Sequence, residues 1–188
     1  MNISIYVLKS KIRKMEGFTF VELMITITII AILLAIAIPS LSAFINNNRV
    51  STSINEFVGT VALARSEAIK QGRLVTVCRS ANATSATPTC DSGATDWASG
   101  WLTYVESSTT TNVGTYEAAE VILARKAALP NILIPASVAS ITFNSSGQPI
   151  STATTTFNFS YKNLYPREVC MERTGRVKTI RDGNSGSC

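Results

Sequence analysis

Hydrophobic and polar positions divide the chain into three stretches of different period. Residues 18–38 read FTFVELMITITIIAILLAIAI, 21 residues with a single charge, Glu22. At ~1.5 Å of rise per residue a helix of that length reaches roughly 30 Å, the thickness of a bilayer core. After Pro39 the apolar positions thin to one stripe. Val50, Ile54, Phe57, Val58, Val61, Ala64, Ala68 and Ile69 recur at spacings of mostly three and four, with Arg49, Asn55, Glu56, Arg65, Glu67 and Lys70 on the other faces. Gly72, with Lys70 just before it, predicts the end of this helix. From there the period shortens. Residues 74–78, 101–105, 121–125, 141–143, 157–161, 168–171 and 176–180 predict strands. Asn144-Ser145-Ser146-Gly147 and Arg173-Thr174-Gly175 have turn chemistry, and residues 80–99 and 107–115 read as polar loops. The stripe of the helix is predicted to pack on the sheet these strands form.

Length and composition narrow the chemistry. A chain of 188 residues fits one domain, or a domain with an appendage. Charged residues make up 15%, low for a globular chain, and there is no His. Ser-His-Asp and Cys-His machinery and His-ligated zinc are therefore excluded. The four cysteines, Cys78, Cys90, Cys170 and Cys188, show no C-x-x-C knuckle. Two disulfides in an oxidising compartment fit better than an all-Cys zinc site. The net charge of +5 comes from the ends. Residues 1–17 hold four basic groups and one acid, residues 18–160 seven and eight, residues 161–188 six and three. Lys9, Lys11, Arg13 and Lys14 ahead of the apolar run predict a cytoplasmic N-terminus, with the rest of the chain across the membrane.

A cleaved secretory signal is the first alternative, with Ala35 and Ala37 as a cleavage site, but the run is long for one and Pro39 follows directly. Glu22 argues for more than an anchor, because a carboxylate in lipid needs a partner or a function. Lys14-Met15-Glu16-Gly17-Phe18-Thr19-Phe20-Val21-Glu22-Leu23 resembles the class III leader junction of type IV pilins and type II secretion pseudopilins. The resemblance implies that a prepilin peptidase cuts between Gly17 and Phe18, that Phe18 is then N-methylated, and that Glu22 pairs with a neighbouring subunit's N-terminal amine during assembly. Pro39 matches the proline that kinks or locally melts the pilin helix.

Further marks follow in order: Asn47-Asn48-Arg49-Val50, Ala64-Arg65-Ser66-Glu67-Ala68-Ile69-Lys70-Gln71-Gly72, Val77-Cys78, Trp97, Gly100-Trp101, Thr142-Phe143-Asn144-Ser145-Ser146-Gly147, and Cys170 with Gly175-Arg176-Val177. Together they resemble the minor pilins of the GspH/FimT type. The resemblance implies an α+β, type IV pilin-like fold in which a long N-terminal helix, transmembrane then amphipathic, packs on antiparallel β-sheets. The domain order expected is a removed leader at 1–17, a transmembrane and assembly helix at 18–38, the amphipathic half of the stem at 39–72, and a globular β domain at 73–188 ending in a basic loop. Arg65 and Glu67 read most simply as surface residues on this helix. Trp97 and Trp101 read as core or loop anchors.

Four cysteines allow three connectivities. Cys78–Cys90 with Cys170–Cys188 is preferred, because each bond ties a polar loop to a strand, each contributing roughly 3 kcal/mol by chain entropy. The rival pairing cross-links the two halves of the domain. With Cys170 tied to Cys188, the stretch from Arg173 to Arg181 becomes a constrained cationic loop with four basic residues in nine and no acid. Arg176 and Lys178 share a strand face, and Gly175 allows a turn that exposes them. Such a surface suits phosphates without base stacking or sequence readout. Some FimT-type minor pilins bind extracellular DNA through a C-terminal Gly-Arg-x-Arg motif. Gly175-Arg176-Val177-Lys178 resembles it with Lys in the last place, and Arg181 nearby as compensation. Arg173, Gly175, Arg176, Lys178 and Arg181 are thus the candidate DNA contacts, against a plain reading as a charged edge strand that resists aggregation.

The expected function is a minor type IV pilin that helps initiate assembly and takes DNA for natural transformation. The alternative is a structural minor pseudopilin of type II secretion without DNA binding. A membrane-anchored enzyme is the least supported, since Asp91, Asp96, Glu106, Glu117 and Glu120 mostly fall in polar loops and form no recognisable cluster. The resemblance implies no cofactor or metal. It implies other minor and major pilins, prepilin peptidase, the inner-membrane assembly platform and DNA as partners. It also implies a single-pass start in the bacterial inner membrane, with the domain in the periplasm, before incorporation near the fibre tip.

Overall fold

A computed structural model describes residues 17–91, 93, 96–107, 113–151 and 153–181. Its elements are one helix, α1 (Phe20–Gln71), a 3-10 turn η1 (Trp97–Ser99), and eight strands. The strands are β1 (Val75–Arg79), β2 (Trp101–Val105), β3 (Val121–Lys126), β4 (Ile132–Leu133), β5 (Ser140–Phe143), β6 (Thr155–Tyr161), β7 (Leu164–Met171) and β8 (Val177–Arg181). The architecture is α+β. Contacts group the chain into two units, Met1–Ser42 and Ala43–Cys188.

In the first unit α1 begins with a local device. The Glu22 N–H donates to Thr19 Oγ1 at 3.2 Å, so Thr19 is the N-cap and Glu22 the third helical residue, the spacing of a capping box. Thr26 and Thr28 return their hydroxyls to the carbonyls of Leu23 and Met24, both at 2.8 Å, which lets polar residues sit in an apolar helix. None of the most apolar window of this helix is buried within the chain. The helix is long and apolar enough to cross a membrane.

In the second unit α1 buries one stripe, Val50, Ile54, Phe57, Val61, Ala64 and Ala68. Ile69, predicted to join it, is exposed. Phe57 is the hub, with ring centroids 5.6 Å from both Trp97 and Trp101, 4.7 Å from Phe157 and 5.7 Å from Phe159. Each indole N–H is satisfied: Trp97 donates to the Val138 carbonyl at 2.9 Å, and Trp101 donates to Thr60 Oγ1 at 3.2 Å. Gln71 ends the helix, and Gly72 follows at φ 65°, the left-handed stop.

Two antiparallel sheets take that stripe, in the orders β3-β2-β1-β5 and β4-β6-β7-β8. The strand β4 has no counterpart among the expected segments. It is two residues long and held from elsewhere: Asp96 Oδ1 accepts from both Ala98 and Ile134 N–H groups, at 2.9 and 2.7 Å, and the Trp97 N–H donates to the Ile134 carbonyl at 3.0 Å. The outer face of the first sheet is not left to solvent. Cys78, Leu102 and Tyr104 form a second small core with Cys90, Tyr116 and Ile122. Cys78 and Cys90 are disulfide-bonded, which ties the loop after β1 to that face. Cys170 is disulfide-bonded as well, while its expected partner, Cys188, lies outside the described residues.

Candidate functional site

The basic stretch lies on the hairpin formed by β7 and β8, which pair from Arg167–Arg181 to Met171–Val177. Between the strands the Gly175 N–H donates to the Glu172 carbonyl and the Glu172 N–H to the Arg176 carbonyl, both at 2.8 Å. Gly175 sits at φ 75°, which closes this short turn. A Cβ there would meet Phe143 Cε1 at 3.1 Å and the Gly147 carbonyl oxygen at 3.2 Å, so the turn lies flat against the segment after β5.

The turn is also fixed from the helix. Arg65 Nη1 donates to the Gly175 carbonyl at 3.3 Å. Gly147, at φ 74°, leaves the room that Arg65 and Ile69 occupy: a Cβ there would stand 2.6 Å from Ile69 Cδ1 and 3.2 Å from Arg65 Nε. The expectation that Arg65 is a surface residue is therefore corrected. It is half-buried and works as a strut, donating to a carbonyl of the turn. Glu67 does stay local, accepting from Lys70 at 3.2 Å and Gln71 at 2.7 Å.

Arg173, Arg176 and Lys178 are all exposed, and Gly175 is buried beneath them. Arg181 is the last residue of β8. One feature departs from the sequence expectation. The window from Arg173 to Arg181 holds no acid, but Glu172 stands one residue before it, and its Oε1 forms an ion pair with Lys178 Nζ. That hydrogen bond, with the charges of Lys178 and Arg176, holds the Glu172 carboxyl below the usual carboxylate range. Lys178 is thus ion-paired to an acid of its own hairpin.

The model for the type II transport protein GspH matches residues 53–175, well over half of the chain. The chain belongs to the GspH family. The model for the prokaryotic N-terminal methylation motif matches residues 12–38. No curated relative matches the sequence. Among solved structures the chain is similar to the type IV minor pilin FimU of Pseudomonas aeruginosa, in the P21 crystal form. That similarity has a TM-score of 0.54 and 18% identity, and covers 72% of this chain and 90% of that one. The P65 form of the same protein gives a TM-score of 0.48 at the same identity, covering 69% and 90%. The fold is that of a type IV pilin. The GspH match ends at Gly175, one residue before Arg176.

The remaining candidate residues of this GspH-family chain are spread out. Gly17 and Phe18 precede α1 and are exposed; Glu22 lies in its first turn; position 39 lies inside the helical span. The basic residues of the leader lie outside the described residues. Family and fold are those of structural pilin subunits.

Sequence reasoning missed two further groups. Asn47 Oδ1 accepts from Arg167 Nη2 at 2.6 Å, and Arg49 donates to Tyr161 OH at 3.4 Å, so the Asn-Asn-Arg mark latches α1 to β6 and β7. Glu106 and Glu120, which stand beside expected strands and form no recognisable cluster in the sequence, are buried. Glu106 Oε1 takes the Thr76 hydroxyl and the Gly114 N–H, the latter at 2.8 Å, while Glu120 takes the Ser107 and Glu117 N–H groups at 2.7 and 2.9 Å. Burial pushes the Glu106 carboxyl up, with Glu120 adding to it. The pair closes the loop over the outer face of the first sheet. A buried carboxylate at the end of a strand was not separable in sequence from one in a loop.

Proposed function

We propose that the protein is a minor type IV pilin that helps initiate fibre assembly and binds the DNA backbone through the β7–β8 hairpin for uptake in transformation. The observation that carries the DNA reading is the exposure of Arg173 and Arg176 on a turn fixed by Arg65 and by the packing of Gly175. A rigid platform holds guanidinium forks ready for phosphate without a large ordering cost. The assembly reading rests on the N-terminal methylation motif and on the long unburied helix. On this reading residues 1–17 are a leader cut after Gly17, Phe18 is methylated, and Glu22 meets the next subunit's amine. Residues 18–38 then hold the chain in the inner membrane, Pro39 loosens the helix, and the domain stays periplasmic until incorporation near the tip. Cys188 is the partner we assign to Cys170.

The test is DNA binding by the full chain in non-ionic detergent across a salt series. We expect salt-sensitive binding without sequence preference. Replacing Arg173 and Arg176 together by Ala should flatten the slope of log K against log salt by about two. Binding unchanged by that double substitution removes the hairpin as the site. No binding at low salt leaves the second reading, a structural pseudopilin of type II secretion, which the GspH match and the internal neutralisation of Lys178 favour.

A further inference from the structure

The hairpin contains its own competitor for phosphate. Glu172 is placed by backbone on both sides: its N–H and its carbonyl each close the turn. Residue 172 faces residue 176 across the hairpin, and Lys178 stands on the diagonal beyond it, within reach of long side chains. The Glu172 side chain is 29% exposed and that of Lys178 51%. The acid is thus the fixed member of the pair and the lysine the one free to swing. Arg176 lies close enough to act on the same carboxylate.

We propose that Glu172 is a specificity-determining residue: an internal counter-anion that occupies Lys178 and yields it to a phosphodiester chain but not to an isolated anion. This rests on the DNA reading of the hairpin. An exposed ion pair of this kind contributes little to folding, so breaking it costs little. A tethered carboxylate nevertheless acts at a high effective concentration, of millimolar order or above. A lone phosphate or an acidic side chain arriving from solution must outcompete it for one charge. A nucleic acid approaches with phosphates already engaged on Arg173 and Arg176, so its next phosphate meets Lys178 as a tethered ligand too. Releasing condensed counter-ions adds to its advantage. A lysine suits this exchange: an ammonium is a point charge that changes partners without having to match a fork.

The experiment is a cycle of Glu172→Gln, Lys178→Ala and both together in the full chain in non-ionic detergent. Binding to a short DNA duplex is measured over a salt series, with inorganic phosphate as competitor. Gln keeps the shape and leaves the backbone of the turn untouched. We expect Glu172→Gln to bind DNA several-fold more tightly at low salt, with a slope steeper by about one contact. Inorganic phosphate at millimolar concentration should displace DNA from this variant and not from the unaltered chain. Lys178→Ala should cost little by itself and should erase the gain of Glu172→Gln. Equal costs of Lys178→Ala in both backgrounds, or an affinity that Glu172→Gln leaves unchanged while Arg173→Ala with Arg176→Ala abolishes binding, overturns the inference alone. No DNA binding by either the unaltered chain or Glu172→Gln overturns the DNA reading together with it.

Discussion

The two halves of α1 are one helix by hydrogen bonding and two by burial. In residues 20–38 every side chain described is exposed, although almost all are apolar. From residue 43 on, a stripe of six residues is buried and the flanks are polar. The second half finds its apolar partner in its own chain, in Trp97, Trp101 and the aromatics of β6. The first half has none among the described residues, which fits membrane anchoring and incorporation into a pilus. Helix propensity is similar in both; what differs is where the hydrophobic term is collected.

The largest effect should follow where the stripe is deepest. Phe57→Ala removes the hub of the aromatic cluster and is expected to cost about 3–5 kcal/mol, read as a drop in the denaturant midpoint of the domain. Leu33→Ala, at a side chain 61% exposed, should leave that midpoint where it is. Equal effects at the two sites would end the distinction between the halves.

Periodicity made this contrast legible, because a stripe at spacings of three and four and a run without polar faces are visible in any sequence. The strands were legible to within a few residues for the same reason. Partners were not. Arg65 and Glu67 both look like helix-surface charges, and only the approach of Gly175 under the 144–148 turn separates the strut from the surface residue. Glu172 fell outside a window drawn around the cations, since its pairing with Lys178 depends on hairpin register, which spacing alone does not give. In β4, the two residues Ile132 and Leu133 carry no period at all, and Asp96 fixes the chain beside them from a distant loop.

A smaller effect is expected where the far end of the helix meets the hairpin. Gly175→Ala forces a Cβ into a left-handed position against Phe143 and should cost about 1–2 kcal/mol. Arg65→Ala removes one hydrogen bond from the same turn and should cost about 1 kcal/mol, with faster amide exchange at Gly175 and Arg176 as its local sign. If exchange there stays unchanged, the helix does not brace the turn.

A slight, pH-dependent effect is expected at the outer face of the first sheet, which the chain covers with its own loop. Glu106 lies under that cover, facing Glu120 and Tyr104, with the Thr76 hydroxyl and the Gly114 N–H on one oxygen and Arg73 on its backbone carbonyl. Burial raises its carboxyl in the folded state, so the folded chain holds this proton more tightly than the unfolded chain does. Stability from this group is therefore full below the ordinary carboxylate value and falls as pH rises from there through the raised value. Glu106→Gln keeps an oxygen for Thr76 and Gly114 and carries no charge, so it should flatten that fall and be slightly more stable than the unaltered chain at neutral pH. Urea midpoints of both proteins from pH 4 to pH 8 decide it. Parallel curves would mean that the cover over this face is open enough for water to reach the carboxylate, and that the chain buries its outer sheet face less completely than it buries the stripe of α1.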